Sequence, residues 1–194
     1  MRGIEQIPWI YDAGMRVMEW TGLGRWRDWL AGGARGRVLE VGCGTGRNLW
    51  RYPAGVSVIG LEPSLDALAA ARRRVPGARL VCGSAEALPF PDASFDTVVS
   101  GLVFCSVPDP ARGLAEVRRV LAPGGHLRMM EHVRSRSPFV GRLQDFYQPA
   151  WTCVLGGCHP NRDTERTVEA AGFVIEREEY RADGNMRRFV AHPR

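Results

Sequence analysis

Apolar residues follow two rhythms along this chain. From Trp9 to Leu30, the residues Trp9, Ile10, Met15, Met18, Trp20, Trp26, Trp29 and Leu30 recur among polar positions. That spacing predicts amphipathic helices broken near Thr21–Gly22–Leu23–Gly24. Short apolar runs then take over. RVLEVG and, about twenty residues on, VSVIGLE read as buried strands. SLDALAAARRR reads as a helix with Ser64 as its N-cap. RLVCG and DTVVSGLV supply a third and a fourth strand. PARGLAEVRRVLAPGG predicts a helix that opens on a proline-bearing turn and stops at Pro123–Gly124–Gly125. HLRMMEHV is a fifth strand, followed by a polar, aromatic-bearing insertion from Ser135 to about Asn161. The helix RDTERTVEAAGF and two strand candidates, VIEREEYR and MRRFVAH, close the chain.

Strands alternating with helices predict an α/β fold with a mainly parallel sheet. A chain of 194 residues with no internal repeat or linker reads as one domain, residues 1–194. Composition narrows the partners. The formal net charge is +5 and there is no lysine, so every basic side chain apart from histidine is arginine. The densest cluster, Arg72–Arg73–Arg74, ends a predicted helix, where cations complement the dipole, so no nucleic-acid partner is expected. The five cysteines are odd in number and include no CxxC pair, which argues against a disulfide framework and a structural zinc site. No metal is expected. No run approaches the ~18 apolar residues of a membrane span, and no apolar signal-peptide core follows the first residues. The expected location is cytoplasmic.

The chemistry centres on LEVGCGTGRNLW, residues 39–50, which joins the first strand to a predicted helix start. In a doubly wound sheet such a turn lies at the ligand-binding switch point. Its glycines allow close backbone approach, and the helix start offers free N–H groups. Glu62 ends the second strand, where a carboxylate can accept both hydroxyls of a ribose. These features alone suit NAD and S-adenosylmethionine (SAM) equally. The dinucleotide fingerprint, however, needs a third glycine at position 47, and that residue is Arg47. The pattern E-x-G-x-G-x-G from Glu40 therefore disfavours NAD.

LEVGCGTGRN, LEPS, GSAEALPFPDASFDTVVS and EVRRVLAPGGHL together resemble the class I SAM-dependent methyltransferases of the UbiE, or type 11, kind over about residues 37–131. GLVFCSV, MEHV and DFYQPAWTCVLGGCHPNRDT are similar to the methyltransferase-like seven branch of thiol S-methyltransferases and its bacterial relatives. The resemblance implies a Rossmann-like, mainly parallel seven-stranded sheet with an antiparallel last strand and helices on both faces. It implies SAM as cofactor and S-adenosylhomocysteine as product. Glu40 would orient the methionine amino group, while the backbone of Gly42, Cys43 and Gly44 passes beneath the cofactor. Glu62 would hold the ribose with Pro63 against the adenine, and Ser84, Ala85 and Glu86 would edge the base. Ser84 stands where many relatives have aspartate, so adenine selection would rest more on backbone contacts. Ser100, Gly101 and Leu102 would flank the sulfonium.

Candidates for the acceptor side are Tyr11, Phe104, Glu131, Phe146, Tyr147, Trp151, Cys158 and His159. His132, at the carboxyl end of the fifth strand, is the candidate general base. Residues 1–34 would form a helical lid and residues 135–161 an acceptor-side insertion. The expected activity is methyl transfer from SAM to a small lipophilic acceptor, with thiol S-methylation ahead of quinone or phenol C/O-methylation. A non-catalytic SAM-binding module is the reading from another class. Monomer and homodimer both stay open, as does peripheral membrane contact through the N-terminal tryptophans.

Overall fold

The computed structural model describes residues 7–154 and 157–194; the side chain of Tyr11, an acceptor candidate, lies outside what is described. Helix α1 (Pro8–Met18) runs through a π-helical turn, Glu19–Leu23, into α2 (Gly24–Gly32). The break falls on Gly22 at φ 129°, a conformation open to a residue without Cβ. Then follow β1 (Arg37–Val41), β2 (Ser57–Glu62), α3 (Leu65–Arg74), β3 (Arg79–Cys82) and β4 (Phe95–Gly101). The remaining elements are α4 (Pro110–Val120), β5 (Leu121–His132), α5 (Pro138–Val154), α6 (Thr164–Ala170), β6 (Phe173–Ile175), β7 (Arg181–Asp183) and β8 (Met186–Pro193).

The sheet order is β3-β2-β1-β4-β5-β8-β6, with β7 paired to β8. Strands β1 to β5 pair in parallel, and β8 runs antiparallel to β5, β6 and β7. Order reverses between β1 and β4, which opens a crevice at their carboxyl ends. Both faces of the sheet are covered. Val98 joins Leu114, Val117 and Phe189 on one side, while its neighbour Val99 joins Leu30, Val38 and Met130 on the other. That alternation is the two-residue period of a strand buried on both faces. Each such aliphatic side chain removed from water contributes about 1.5–3 kcal/mol.

Four local expectations need correction. The sheet has eight strands, because VIEREEYR is not one strand: β6 stops at Ile175 and Arg181–Asp183 makes a separate hairpin with β8. Gly184, at φ 53°, turns that hairpin. Helix α4 ends at Val120, not at Gly125, since Leu121 is already extended and pairs with Phe95. Strand β4 ends at Gly101, because Leu102 takes φ 62° while its N–H donates to the Met130 carbonyl. No regular helix follows the glycine turn; residues 42–52 form successive tight turns, with Gly46, Leu49 and Arg51 donating three residues back. The insertion 135–161 is largely the helix α5. Among the described residues no helix is long and apolar enough to cross a membrane.

Candidate cofactor and acceptor site

A cavity of about 730 Å³ opens at the carboxyl ends of β1, β2 and β4. Of the residues expected to hold a cofactor, Gly42, Gly44, Glu62, Pro63, Ser84, Ala85, Glu86, Gly101 and Leu102 line it. The glycine turn shapes its floor. Gly42, Gly44 and Gly46 all have positive φ, at 65°, 54° and 79°. A Cβ on Gly42 would lie 2.4 Å from Val103 Cγ2, so this glycine serves packing. A Cβ on Gly44 would meet no protein atom within 4 Å, so this glycine keeps open a space that borders the cavity. Glu62 Oε2 accepts from Gly44 N at 3.1 Å and Oε1 from Ser64 N at 3.0 Å. Burial raises its pKa, against the lowering effect of those two amides. A carboxylate held in this way at a strand end still has free lone pairs for hydroxyl donors.

Glu40, Cys43 and Ser100 sit behind the wall. Glu40 is 1% exposed, and its carboxylate accepts from Asn48 Nδ2 at 2.8 Å and Tyr52 Oη at 2.9 Å. Burial lifts its pKa to about 7, opposed by those donors and by the charge of Arg27. Cys43 is buried against Gly60, where a Cβ would come within 2.8 Å of its sulfur. Burial, with Glu40 and Glu62 nearby, pushes its thiol far up. Ser84 Oγ contacts Glu86, accepting from its N–H, while Glu86 Oε1 accepts from Asp109 N at 2.8 Å.

None of the described acceptor candidates lines this cavity. Glu131 is fully buried and grips the loop after β4. Its Oε1 accepts from Val103 N, Phe104 N and Ser100 Oγ, and its Oε2 from Cys105 N. Phe104 is core, packed against Gly113. The Tyr147 and Trp151 rings lie 5.8 Å apart on α5, tilted by 57°, with Phe146 turned out to solvent. His159 Nδ1 lies 2.6 Å from the Gly157 carbonyl, and its N–H donates to the Cys105 carbonyl. His132 is half-buried at the end of β5, and Cys158 is buried, with the influence of Cys105, His132 and Trp151 drawing its thiol below the usual range.

Residues 39–129 match the family model described as "Methyltransferase domain". The chain carries a domain of this methyltransferase family. It is 39% identical over 151 residues to the thiol S-methyltransferase TMT1B of Homo sapiens, covering 73% of this chain and 62% of that protein. It is also 39% identical over 126 residues to the demethylmenaquinone methyltransferase of Renibacterium salmoninarum, covering 62% and 53%. The chain therefore spans less than two thirds of the length of these relatives. A solved SAM-dependent methyltransferase of Thermotoga maritima superposes with TM-score 0.72 at 22% identity, over 98% of both chains, which establishes a common fold.

One feature of the chain, outside the matched residues, escapes a reading by spacing. Asp12 and Glu19, on the N-terminal helices, converge on the glycine turn. Asp12 accepts from Thr45 Oγ1 at 2.7 Å and Arg47 Nη1 at 3.0 Å, and pairs with Arg74. Glu19 takes Arg47 through two nitrogens and pairs with Arg27 Nε at 3.0 Å. Arg47 enters the sequence argument only as the missing third glycine, and Arg74 only as a helix-end cation. The signal available in the sequence was two acidic residues on an otherwise apolar helical stripe.

Proposed function

We propose that this chain is a SAM-dependent methyltransferase acting on a small lipophilic acceptor, with thiol S-methylation as its reaction. The observation that carries the cofactor assignment is the cavity beside Gly44, with the Glu62 carboxylate held at its edge. Those residues fit SAM. Glu62 would accept from the ribose hydroxyls, Pro63 and Ala85 would flank the adenine, and Gly101 and Leu102 would face the methionine end. Glu40 acts from behind the wall by fixing Asn48 and Tyr52. When bound, SAM supplies an electrophilic methyl group on a sulfonium. The chain's own task is then to orient the acceptor and exclude water, an effect worth several kcal/mol. The N-terminal helices, pinned to the glycine turn, act as the lid, and Pro8 at the cavity edge is its nearest described contribution.

The thiol assignment rests on the relative named thiol S-methyltransferase, which aligns with 73% of this chain at 39% identity. A thiol, with a reference pKa near 8.5, supplies some thiolate at neutral pH and needs little base. The relative named demethylmenaquinone methyltransferase supports C- or O-methylation of a quinone or phenol precursor as the second reading. An acceptor screen with methyl-labelled SAM, comparing alkyl thiols, phenols and quinones, decides between them. Label transfer to thiols is expected. Transfer to phenols or quinones alone would establish the second reading, and SAM binding without turnover on any acceptor would reduce the chain to a cofactor-binding module.

A further inference from the structure

Helix α5 is built inside out. Its buried positions are Gly141 and Gln144, and the partly buried Gln148 and Thr152 continue the same face at helical spacing. Polar groups hold that face to the body. Gln144 Oε1 accepts from Ser135 N at 2.7 Å, and its Nε2 donates to the carbonyls of Val133 and Pro160 at 3.1 and 2.8 Å. Gln148 donates to Thr152, whose Oγ1 donates to the Cys158 carbonyl at 2.9 Å. The opposite face carries Phe139, 78% exposed, Leu143, 50%, and Phe146, 84%. A surface helix turns its apolar stripe toward the core. This one turns it away, which marks an interaction surface.

We propose that the outer face of α5 is the two-fold contact of a homodimer, with two copies of the helix packed antiparallel about Phe146. The seam is Phe139, Leu143, Phe146, Ala150 and Cys153, all exposed. Its steps of four, three, four and three residues are those of helices packed side by side. An axis at Phe146 sets that ring against its own copy, Leu143 against Ala150 and Phe139 against Cys153, so large side chains face small ones. Each pairing occurs twice, as an isologous contact requires. Along the borders Val140 meets Val154 and Arg142 meets Pro149, while Asp145 is turned aside to Arg134 at 2.7 Å. No like charges are opposed.

The area suffices. Phe139, Leu143 and Phe146, with the partly exposed Val140, Trp151 and Val154, present roughly 600 Å² of apolar surface, taking about 200 Å² for a whole aromatic side chain. Two such faces together remove about 1,200 Å² from water, the lower bound of stable, specific interfaces. A lipid surface is the other class of occupant, and α5 offers it little. Arg142 is the only cation on the helix, and its polar face, which an interfacial helix leaves to the headgroups, is engaged by its own fold. Pairing also reaches the cofactor cavity. The His159 N–H donates to the Cys105 carbonyl and Arg162 Nη1 to those of Phe104 and Val107, and Ser106 and Val107 line the cavity. Steadying α5 therefore steadies one wall of that cavity.

Sedimentation velocity on the full chain tests the contact. The wild type should travel as a dimer at micromolar concentration. Phe146→Glu sets two carboxylates against each other on the axis and should travel as a monomer with an unchanged melting transition. Phe146→Cys, with Cys82 and Cys153 replaced by Ser, should be joined into covalent dimers by a short bismaleimide. The wild type should not, although Cys82 and Cys153 are exposed. Antiparallel packing keeps the two copies of Cys153 about 20 Å apart, and Cys82 ends β3 at the edge of the sheet. A monomeric wild type, a dimer that survives Phe146→Glu, or a Phe146→Cys variant that stays unlinked would each overturn the proposal. So would a monomer that binds phosphatidylglycerol vesicles through Phe146, which would give the face to lipid.

Discussion

Arg47 binds Glu19 with both arms of its guanidinium, Nε at 2.7 Å to Oε1 and Nη2 at 2.5 Å to Oε2. The pair is largely buried, with side-chain exposures of 11% and 16%, and it ties the π-helical turn to the glycine turn. Removing one partner of such a pair strands the other charge, which costs about 2–4 kcal/mol at this exposure. Arg47→Ala should therefore release residues 8–23 while the sheet stays folded. Hydrogen exchange and limited proteolysis would show that segment losing protection; unchanged protection would mean that α1 is held by other contacts. Arg47→Lys should not rescue it, since an ammonium cannot repeat the two-armed contact.

The same latch should fail in acid. Burial pushes Asp12 and Glu19 up, but hydrogen bonds from Arg74 and Arg47, with the surrounding cations, lower both overall. A carboxylate with a depressed folded pKa contributes fully above its unfolded value and loses that contribution as pH falls through the folded one. Protection of α1 should collapse below about pH 4, where ordinary carboxylates protonate. Exchange measured from pH 3 to 7 would reveal it, and a flat profile would remove Asp12 and Glu19 from the latch.

Two glycines of one motif should respond oppositely. Gly42→Ala drives its Cβ into Val103 and should destabilise the fold. Gly44→Ala meets no protein atom, so its cost is the left-handed backbone alone, about 1–2 kcal/mol. Its methyl enters space at the cavity, so SAM affinity should drop while the melting transition moves little. Intact SAM binding by Gly44→Ala would place the cofactor away from this turn.

Much of this arrangement was legible in local patterns. The five parallel strands, the Gly22 break and the Ser64 cap, which accepts from Ala67 N, follow from periodicity and turn chemistry. The placing of Gly42, Gly44 and Glu62 at one cavity was legible because they lie within one β–turn–β stretch. Glu131 was not. Its place at a strand end suggests a cavity residue, but the Leu102 kink turns three loop amides onto its carboxylate. The Arg47–Glu19 latch joins residues far apart in sequence, and only tertiary packing makes them neighbours.

Glu62→Ala should remove the ribose acceptor and loosen Gly44 and Ser64 together. Charge-assisted bonds of this kind are each worth about 1.5–3 kcal/mol, so SAM affinity should fall at least about tenfold. Calorimetry with SAM, S-adenosylhomocysteine and NAD checks this. Tight NAD binding without SAM binding, or unchanged SAM affinity in the variant, would assign the ribose elsewhere.

Glu40 predicts a stability slope near neutrality. Burial, against the Asn48 and Tyr52 hydrogen bonds and the charge of Arg27, raises its pKa from an ordinary 4.5 to about 7. The fold thus favours the neutral acid. Stability is highest below the unfolded value, declines as pH rises toward 7 and levels off above it. The change is on the order of 3 kcal/mol. Glu40→Gln keeps an acceptor for Asn48 and offers a donor to Tyr52, so it should flatten the slope. Denaturant titrations at pH 5, 6, 7 and 8 would show the difference, and parallel curves for both proteins would mean that Glu40 stays ionised.

His132 separates the acceptor chemistries. It stands at the end of β5, half-buried and outside the cofactor cavity. A phenol, with a pKa near 10, arrives protonated and needs a base, whereas a thiol near 8.5 brings some thiolate with it. If His132 is that base, His132→Gln should slow methylation of a phenol at neutral pH by roughly 10²–10⁴. The deficit should shrink as pH approaches the phenol's own pKa, where the acceptor ionises unaided. With a thiol acceptor the penalty should be much smaller at every pH. A rate loss equal for both acceptors and independent of pH would mark His132 as structural support. A pH-dependent loss confined to His132→Gln and the phenol would mark the imidazole as the proton acceptor.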